Sequence, residues 1–393
     1  MSEKYYFECI NCKTKYKKME VKYVCPKCEL ENTKDTRLKG VLKVLYNYEE
    51  IKNDFKTYED IIKIWPINSL SSLSPLKVGN TPVYNMNNIY FKFDALNPTF
   101  SFKDRASDLV VAYAKENNID TIITASTGNA ASSLAGITAS QGIKSILFVP
   151  KTAPKAKLLQ SGLYGGKIVP IDGTYDDAFE LSIEASRKFG WYNRNTGYNP
   201  FTIEGKKSVA IELYFQFKEM NKKIPHNIFV ATGDGVIISG LYKGLEDLLK
   251  MELIDEMPNV VMVQSEGSKN LVQNIGKKDF TLTPSTTIAD SISVDIPRNF
   301  YMAEEFILKY HGDTILVSDK EIIDASLELG KNYGLFAEPA AATAYAGMKK
   351  WNKIGVNDRE ILILLTGSGL KDIFSIENEI NMPKPISKLE ELV

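Results

Sequence analysis

Short apolar runs alternate with longer amphipathic segments along the chain after the Gly79-Asn80-Thr81-Pro82 turn. The short runs are almost continuously apolar and predict strands at residues 89–93, 121–125, 145–149, 167–171, 227–231, 260–264, 314–317 and 360–365. The longer segments predict helices at residues 105–116, 130–141, 175–189, 208–220, 238–251, 320–332 and 339–351. Strands of this composition that alternate with helices are typical of mostly parallel sheets covered on both faces. The pattern therefore predicts an α/β fold.

The length of 393 residues exceeds what one hydrophobic core usually spans. We therefore expect two main domains, each with its own sheet, and a small N-terminal module. Residues 29–80 are charged and mixed in pattern, and they predict a connector with short helices.

Composition narrows the classes of partner. Hydrophobic residues make up 44% and charged residues 25%, as in ordinary globular proteins. The net charge of −1 gives no indication of a nucleic-acid or membrane-surface partner. No apolar run reaches the roughly 18 residues of a membrane-spanning helix, and the first residues lack the apolar segment of a signal peptide. A cytoplasmic location is therefore the default expectation.

All four cysteines lie before residue 30, as the pairs Cys9-x-x-Cys12 and Cys25-x-x-Cys28. Four thiolates at this spacing can hold one tetrahedral Zn²⁺, so we predict a structural zinc ribbon. The alternative is two reduced cysteine pairs without metal. A redox role is disfavoured because a redox pair normally opens a helix after a strand.

Lys103 has unusual neighbours for a lysine. It follows Phe100 and Phe102 and precedes a helix that is expected to begin near Asp104. We expect its ammonium group to face a partly desolvated cleft, where burial lowers the pKa and makes the amine available as a nucleophile or base. This stretch alone leaves a buried structural lysine open as the alternative.

Three loops that follow predicted strands carry small or polar residues, at the edge where parallel sheets bind ligands. After the strand at 121–125 come Ser126, Thr127, Gly128, Asn129 and Ala130, which either cap a helix or hold an anion at its N-terminus. After the strand at 227–231 come Gly233, Asp234, Gly235, Val236 and Ile237, which suit a phosphate cradle or any tight turn. Asp234 counts against phosphate unless its side chain points away. After the strand at 360–365 comes Thr366, which either presents a hydroxyl to a ring nitrogen or caps a turn.

Together these stretches resemble the threonine synthase branch of the fold-type II pyridoxal-phosphate enzymes. The matching motifs are Asn-Pro-Thr-x-Ser-Phe-Lys-Asp-Arg at 97–105, Ser-Thr-Gly-Asn-Ala-Ala at 126–131, Gly-Asp-Gly at 233–235, Ile-Ala-Asp at 288–290, Glu-Pro-Ala-Ala-Ala at 338–342 and Leu-Thr-Gly-Ser-Gly-Leu-Lys-Asp at 365–372. The resemblance covers roughly residues 70–375. It implies a two-domain fold of the tryptophan synthase β type, with a zinc ribbon at 1–35. The large cofactor-binding domain would comprise 36–104 and 206–393, and the smaller, mobile substrate domain 105–205.

Position by position, the resemblance implies that Lys103 forms the internal aldimine with pyridoxal 5′-phosphate and then moves protons at the α and β carbons of the substrate. It implies cofactor contacts from Asn129 to the 3′-oxygen, from Gly233, Asp234, Gly235, Val236 and Ile237 to the phosphate, and from Thr366 to the ring nitrogen. It further implies that Ser126, Thr127, Asn129 and Ala130 bind the substrate carboxylate. A hydroxyl beside the ring nitrogen, in place of an aspartate, suits elimination and replacement chemistry. Asp104 and Arg105 match the family, and we expect them to act structurally.

The chain departs from the family near these positions. Phe100 and Ala106 stand where the family usually has glycine, and Asp234 and Val236 stand where its phosphate loop has asparagine and glycine. The family's Asn-Ser-x-Asn-Pro stretch, which helps to bind the substrate phosphate, is altered at residues 193–200. Arg194 there either pairs with a phosphate dianion or is a surface arginine. The sequence therefore supports the cofactor better than the substrate.

The implied activity is a lyase that converts O-phosphohomoserine and water to threonine and phosphate, in a homodimer. The alternatives are a relative that uses another substrate, such as a cysteate synthase with O-phosphoserine and sulfite, or a serine/threonine dehydratase. A binding module that keeps the fold without catalysis is disfavoured because it would not need Lys103. A nucleotide-binding Rossmann protein is disfavoured because no Gly-x-Gly-x-x-Gly follows the first strand.

Overall fold

The computed structural model describes residues 3–33, 36–351, 360–380, 382, 383 and 385–388. Its strands are β1 (Tyr6–Cys9), β2 (Lys15–Lys17), β3 (Leu42–Leu45), β4 (Val83–Met86), β5 (Ile89–Phe93), β6 (Thr121–Ala125), β7 (Lys144–Pro150), β8 (Lys167–Ile171), β9 (Tyr192–Asn193), β10 (Asn227–Ala231), β11 (Asn259–Ser265), β12 (Asp313–Val317) and β13 (Ile361–Leu365). Its α-helices are α1 (Pro26–Glu29), α2 (Tyr48–Ile51), α3 (Lys103–Glu116), α4 (Asn129–Gln141), α5 (Lys155–Leu163), α6 (Tyr175–Phe189), α7 (Phe201–Lys206), α8 (Ser208–Glu219), α9 (Val236–Lys250), α10 (Phe300–Tyr310), α11 (Asp319–Tyr333) and α12 (Pro339–Lys350).

The two larger sheets are mainly parallel. One has six strands in the order β12-β11-β10-β13-β5-β4, with only β4 antiparallel to its neighbour. The other has four parallel strands in the order β8-β7-β6-β9. Strands β6, β10 and β13 are apolar along almost their whole length and nearly all of their residues are buried, because helices cover both faces. The predicted α/β fold is confirmed.

The eight predicted strands and seven predicted helices are present, with ends that differ by at most two residues. Helix α2 lies in the connector, where short helices are expected, and four further helices of the described residues are not predicted: α1, α5, α7 and α10. Helix α7 is only six residues long and contains Gly205, so its local pattern is too short to distinguish from a loop.

Helix α7 is held between α3 and α9 by glycines. A Cβ atom on Gly205 would lie 2.3 Å from the carbonyl oxygen of Arg105, so the backbones of α7 and α3 touch. On the other side, a Cβ on Gly240 would lie 2.6 Å from the Cβ of Lys206, and one on Gly244 would lie 2.5 Å from the carbonyl oxygen of Lys207. Only glycine permits these approaches, and they fix the position of the last turn of α7.

The N-terminal module is a three-stranded antiparallel sheet in the order β2-β1-β3. Its third strand, β3, lies beyond residue 35, the predicted end of the ribbon, so the sheet extends further along the chain than the predicted ribbon. Residue 35 itself lies outside the described part of the chain. The module contacts the segment that follows β9. The ring of Tyr23 stacks on Tyr198 at 4.8 Å and on Tyr192 at 5.9 Å between centroids. The Tyr23 hydroxyl accepts a hydrogen bond from the backbone N–H of Asn193, at 2.8 Å.

In the part of the chain that the structure describes, no helix is both long and apolar enough to cross a lipid bilayer.

Candidate active site

A cavity of about 370 Å³ lies where the loops after β6 and β10 meet. Its walls include Lys103, the loop that carries Ser126, Thr127, Gly128, Asn129 and Ala130, and the loop that carries Gly233, Asp234, Gly235, Val236 and Ile237. Thr196, Lys206, Asp176 and residues 290–296 form further parts of the walls. The two loops follow the carboxyl ends of parallel strands, where α/β sheets bind ligands. The structure therefore brings most of the predicted site residues together.

Lys103 is the first residue of α3, and the chain before it is fastened to the end of β13. The backbone N–H of Phe102 donates to the carbonyl oxygen of Thr366 at 2.8 Å, and the N–H of Ser368 donates to the carbonyl oxygen of Phe100 at 3.0 Å. Phe100 adopts a positive φ of 68°, which explains why this turn favours glycine and is strained with phenylalanine. These contacts aim Lys103 into the cavity.

The electrostatic setting of Lys103 agrees with the expectation from sequence. Burial lowers the pKa of Lys103, the Glu338 carboxylate raises it, and the Arg194 guanidinium lowers it further. Its amine makes no hydrogen bond or ion pair to the described residues. A larger fraction of neutral amine is therefore available near neutral pH than for a solvated lysine.

Asp104 and Arg105, next to Lys103, have structural partners. The N–H and hydroxyl of Thr99 donate to the Asp104 carboxylate. The buried Arg105 guanidinium pairs with Asp94 at 2.6 Å and with Glu212 at 2.5 Å. Both side chains lie behind the cavity wall, and they fix the start of α3.

The loop after β6 presents the start of α4 to the cavity. Its N-cap residue is Gly128, and no side chain among the described residues caps the helix. The Asn129 amide donates to the Glu338 carboxylate at 3.0 and 3.1 Å and to the Ser291 hydroxyl at 3.2 Å. The alternative interpretation, in which side chains of this loop cap the helix, is therefore not supported by the structure. The uncapped helix start is suited to an anion such as a carboxylate.

The loop after β10 has the shape of a phosphate cradle. A Cβ on Gly233 would lie 2.8 Å from the Cα of Ile292, and Gly235 has a φ of 85°. Helix α9 begins at Val236 with no side-chain cap from the described residues, so its N-terminal N–H groups face the cavity. The Asp234 carboxylate accepts a hydrogen bond from the backbone N–H of Arg298 at 3.1 Å. Burial raises the pKa of Asp234, which reduces its repulsion of an anion.

Two predicted residues are near the cavity without forming its wall. Thr366 is buried at the end of β13, and its carbonyl oxygen binds the turn before Lys103. Arg194 is completely buried, so the interpretation as a surface arginine is wrong. Its Nη1 donates to the Thr196 hydroxyl at 2.7 Å, and its Nη2 has no partner among the described residues.

Two residues of the site have no role assigned to them from the sequence. Glu338 is buried at the start of α12 and holds Asn129. Lys206 ends α7 and lines the cavity. The signal for Lys206 was present, because it stands with Lys207 in an otherwise largely apolar stretch from Phe201 to Leu213, as Lys103 stands beside phenylalanines.

The four cysteines meet at the tip of the N-terminal module, apart from the cavity. Their Sγ atoms all lie within 4.8 Å of one another. The Sγ atoms of Cys9 and Cys28 are 3.7 Å apart, and those of Cys12 and Cys25 are 3.6 Å apart. Four thiolates around Zn²⁺ with bonds of about 2.3 Å would be about 3.8 Å apart. The donor set and spacing therefore fit a tetrahedral metal site.

Comparisons with known proteins agree on the kind of molecule that this chain resembles. A family model described as pyridoxal-phosphate dependent enzyme matches residues 75–367. The chain is 33% identical over 388 residues to the threonine synthase of Methanocaldococcus jannaschii, and the match covers 93% of this chain and 92% of that protein. It is 30% identical to the threonine synthase of Methanosarcina acetivorans over 94% of this chain and 92% of that protein. Among solved structures, maize serine racemase superposes with a TM-score of 0.64 at 23% identity, over 74% of this chain and 88% of that one. This last similarity concerns the fold.

Proposed function

The chain belongs to the family of pyridoxal-phosphate dependent enzymes, in its threonine synthase branch, and on this basis we propose that it converts O-phosphohomoserine and water to threonine and phosphate. One observation carries the proposal. The unpaired amine of Lys103 enters a cavity that also contains an uncapped helix start with a glycine cradle. A covalently held phosphorylated cofactor requires both features.

The residues present fit pyridoxal 5′-phosphate. The N–H groups of Gly235, Val236 and Ile237 would hold its phosphate at the start of α9. Asn129 would contact its 3′-oxygen, and the hydroxyl of Thr366 would lie towards its ring nitrogen. When bound, the cofactor supplies an electron sink for negative charge that develops on the substrate.

Lys103 would be the group that moves protons. Its pKa is lowered by burial, so its neutral amine can take a proton from the substrate's α carbon and, once it has passed that proton on, take another from the β carbon. The Glu338 carboxylate raises the pKa of Lys103, so the amine can also hold a proton and return it to the substrate. The balance suits a group that acts as base and acid in turn.

The substrate carboxylate would bind at the start of α4. Ser126, Thr127, Asn129 and Ala130 all line the cavity there, and a carboxylate is favoured by the positive end of a helix. The phosphate that leaves the substrate would lie near Arg194, whose Nη2 has no partner among the described residues and is fully buried. A phosphate dianion would complete its hydrogen bonding.

We also propose that Cys9, Cys12, Cys25 and Cys28 bind one structural Zn²⁺. The sulfur spacing supports this, and four protein ligands leave no open position for catalysis. The homodimer and the cytoplasmic location remain predictions. Light scattering on the purified protein would test the dimer, and fractionation of cells would test the location.

The test is a comparison of substrates on the purified protein. We expect release of phosphate and formation of threonine from O-phosphohomoserine, and no activity with O-phosphoserine and sulfite. Lys103→Ala is expected to lose the absorbance of the lysine-bound cofactor and all turnover, because Lys103 is the amine proposed to hold the cofactor. Lys151→Met, exposed and outside the cavity, is the control. Turnover of O-phosphoserine with sulfite alone would instead favour a cysteate synthase.

A further inference from the structure

Lys206 differs from the other deeply buried lysines of this protein. Within the residues that the structure describes, five lysines are at most 5% exposed: Lys43, Lys92, Lys206, Lys207 and Lys243. Four of them have carboxylate partners. Lys43 pairs with Glu246, Lys92 with Glu212, and both Lys207 and Lys243 with Asp247. The ammonium of Lys206 has no hydrogen bond or ion pair to any described residue.

The position of Lys206 is set by the close packing of α7. Its Cβ lies against Gly240, one turn into α9, which begins at the glycine cradle. Its side chain lines the cavity together with Asp234 and Thr196. Lys206 therefore extends from the wall between the cradle and the segment that carries Arg194.

The charged groups near Lys206 do not provide it with a partner. Arg194 and Lys103 both act electrostatically on Lys206 and lower its pKa, in addition to the larger effect of burial. Asp234 raises it, but the Asp234 carboxylate accepts a hydrogen bond from the Arg298 N–H and makes no ion pair with Lys206. The other acids of the cavity wall do not pair with Lys206 either: Asp176, Asp290 and Asp295.

A purely structural lysine does not account for this arrangement. Lys207, the next residue, shows what such a lysine looks like here, because its ammonium is held by Glu204, Asp247 and the carbonyl oxygen of Ile64. Burial lowers the pKa of Lys206 well below its usual value, so the charged form of this amine is favoured only when an anion joins it. Apolar packing against Gly240 could be provided by methionine without that penalty.

We propose that the ammonium of Lys206 is a binding group for a phosphate monoester dianion in this cavity. This inference rests on the proposed function, which provides two sources of that chemistry: the phosphate of the cofactor and the phosphate of the substrate. We assign Lys206 an effect on affinity and positioning and no part in bond making or breaking. Either source would favour the charged amine and supply the hydrogen-bond acceptor that it lacks.

The experiment compares ligands that differ only in the phosphate group. Lys206→Met removes the charge with little change in volume, Lys206→Gln keeps a polar end, and Lys206→Arg keeps the charge. Lys151→Met is the matched control, because Lys151 is exposed, pairs with Asp172 and does not line the cavity. Apoprotein binding of pyridoxal phosphate and of pyridoxal is followed by tryptophan fluorescence. Binding of inorganic phosphate, O-phosphohomoserine and homoserine is followed by the absorbance of the holoenzyme.

If Lys206 binds the cofactor phosphate, Lys206→Met weakens pyridoxal phosphate about 10- to 100-fold and leaves pyridoxal unchanged. If it binds the substrate phosphate, the same loss appears for O-phosphohomoserine and inorganic phosphate and not for homoserine. Lys206→Arg recovers part of the loss in either case, and Lys206→Gln recovers little.

The proposal is overturned if all five ligands bind to folded Lys206→Met and Lys206→Gln as tightly as to wild type, within about twofold. It is also overturned if phosphorylated and unphosphorylated partners weaken equally. These results do not depend on turnover. A wild-type protein that binds phosphate esters through Lys206 yet does not form threonine would refute the proposed substrate and leave this inference standing.

Discussion

Asp108 illustrates how one residue can make the stability of this protein depend on pH. It is buried on α3, and its carboxylate accepts one hydrogen bond, from the backbone N–H of Ser74 at 2.8 Å. Burial and, to a smaller extent, the nearby Asp104 raise its pKa from 3.8 to about 7. The folded state therefore prefers the protonated carboxyl. Its contribution to stability is complete below the unfolded pKa and is lost as the pH rises towards 7.

Asp108→Asn is expected to stabilise the protein at pH 8 and to have little effect near pH 4. An asparagine can still accept from Ser74, and it has no charge to bury. The gain should grow between pH 4 and 7 and then level off, at about 2–4 kcal/mol. Urea denaturation at several pH values measures it. Asp172→Asn, an exposed acid, should show no such trend, and a gain that is independent of pH would contradict the assignment.

Single residues were predictable where a local pattern sets their environment. The apolar neighbours of Lys103 indicate a partly desolvated amine, and in the structure Lys103 is half-buried in the cavity wall. Arg194 was ambiguous because its burial depends on α3 and Thr196, which only the fold brings to it. Lys206 has apolar neighbours in the sequence, as Lys103 does. The proposal for Lys206 rests on its lack of a partner among the described residues, and the sequence does not show which side chains become partners in the fold.

At the scale of elements, the N-terminal ribbon is the part most dependent on a ligand. Three of its four cysteines are buried, and its sheet has only three short strands. A module of this size rarely holds a core without a metal or cross-links. We expect about one zinc per chain by metal analysis. The ribbon should unfold when a strong chelator removes the metal.

Cys9→Ser should abolish zinc binding and lower the temperature at which the ribbon unfolds, because the metal supplies most of its stability. Lys27→Ser is the control, since Lys27 lies between two of the ligands and is exposed. Thermal unfolding followed by near-ultraviolet circular dichroism would report the tyrosines of this module. A zinc-free protein with an unchanged ribbon would refute the structural metal.

Elements were predictable where their periodicity is long or their apolar content is high. Strands such as β10 and β13 are buried on both faces, so their composition alone identifies them. Helices α5 and α7 were missed for different reasons. Leu159 and Leu163 of α5 are largely exposed, which weakens its amphipathic pattern, and α7 is determined by contacts through glycines with α3 and α9.

At the scale of the whole molecule, several contacts join the part with the four-stranded sheet to the part with the six-stranded sheet. Lys157 of α5 pairs with Asp290 at 2.7 Å, and Asp176 of α6 pairs with the buried Arg298. The Lys371 ammonium donates to the Ser132 hydroxyl at 2.9 Å. Asp176 and Asp290 line the cavity, so two of these contacts join the two parts beside it, and we propose that they hold the cavity closed during turnover.

Asp176→Asn is expected to favour the open arrangement, because Arg298 then loses the carboxylate that balances its buried charge. Asp176 is 30% exposed, so we expect a cost on the order of 1–2 kcal/mol. Small-angle scattering should give a larger radius of gyration, and the KM for substrate should rise. Asp172→Asn is the matched control. An unchanged radius and KM would show that this pair does not control closure.

The stacking of Tyr23 on Tyr192 and Tyr198 has a consequence for the cell. Tyr192 and Tyr198 lie on either side of Arg194 in the sequence, so we expect a change in the N-terminal module to reach the place proposed for the substrate phosphate. If the module binds the proposed zinc, a shortage of that metal would lower the affinity for substrate more than the affinity for cofactor. Amino-acid synthesis through this protein would thereby follow the supply of a trace metal that takes no part in the chemistry.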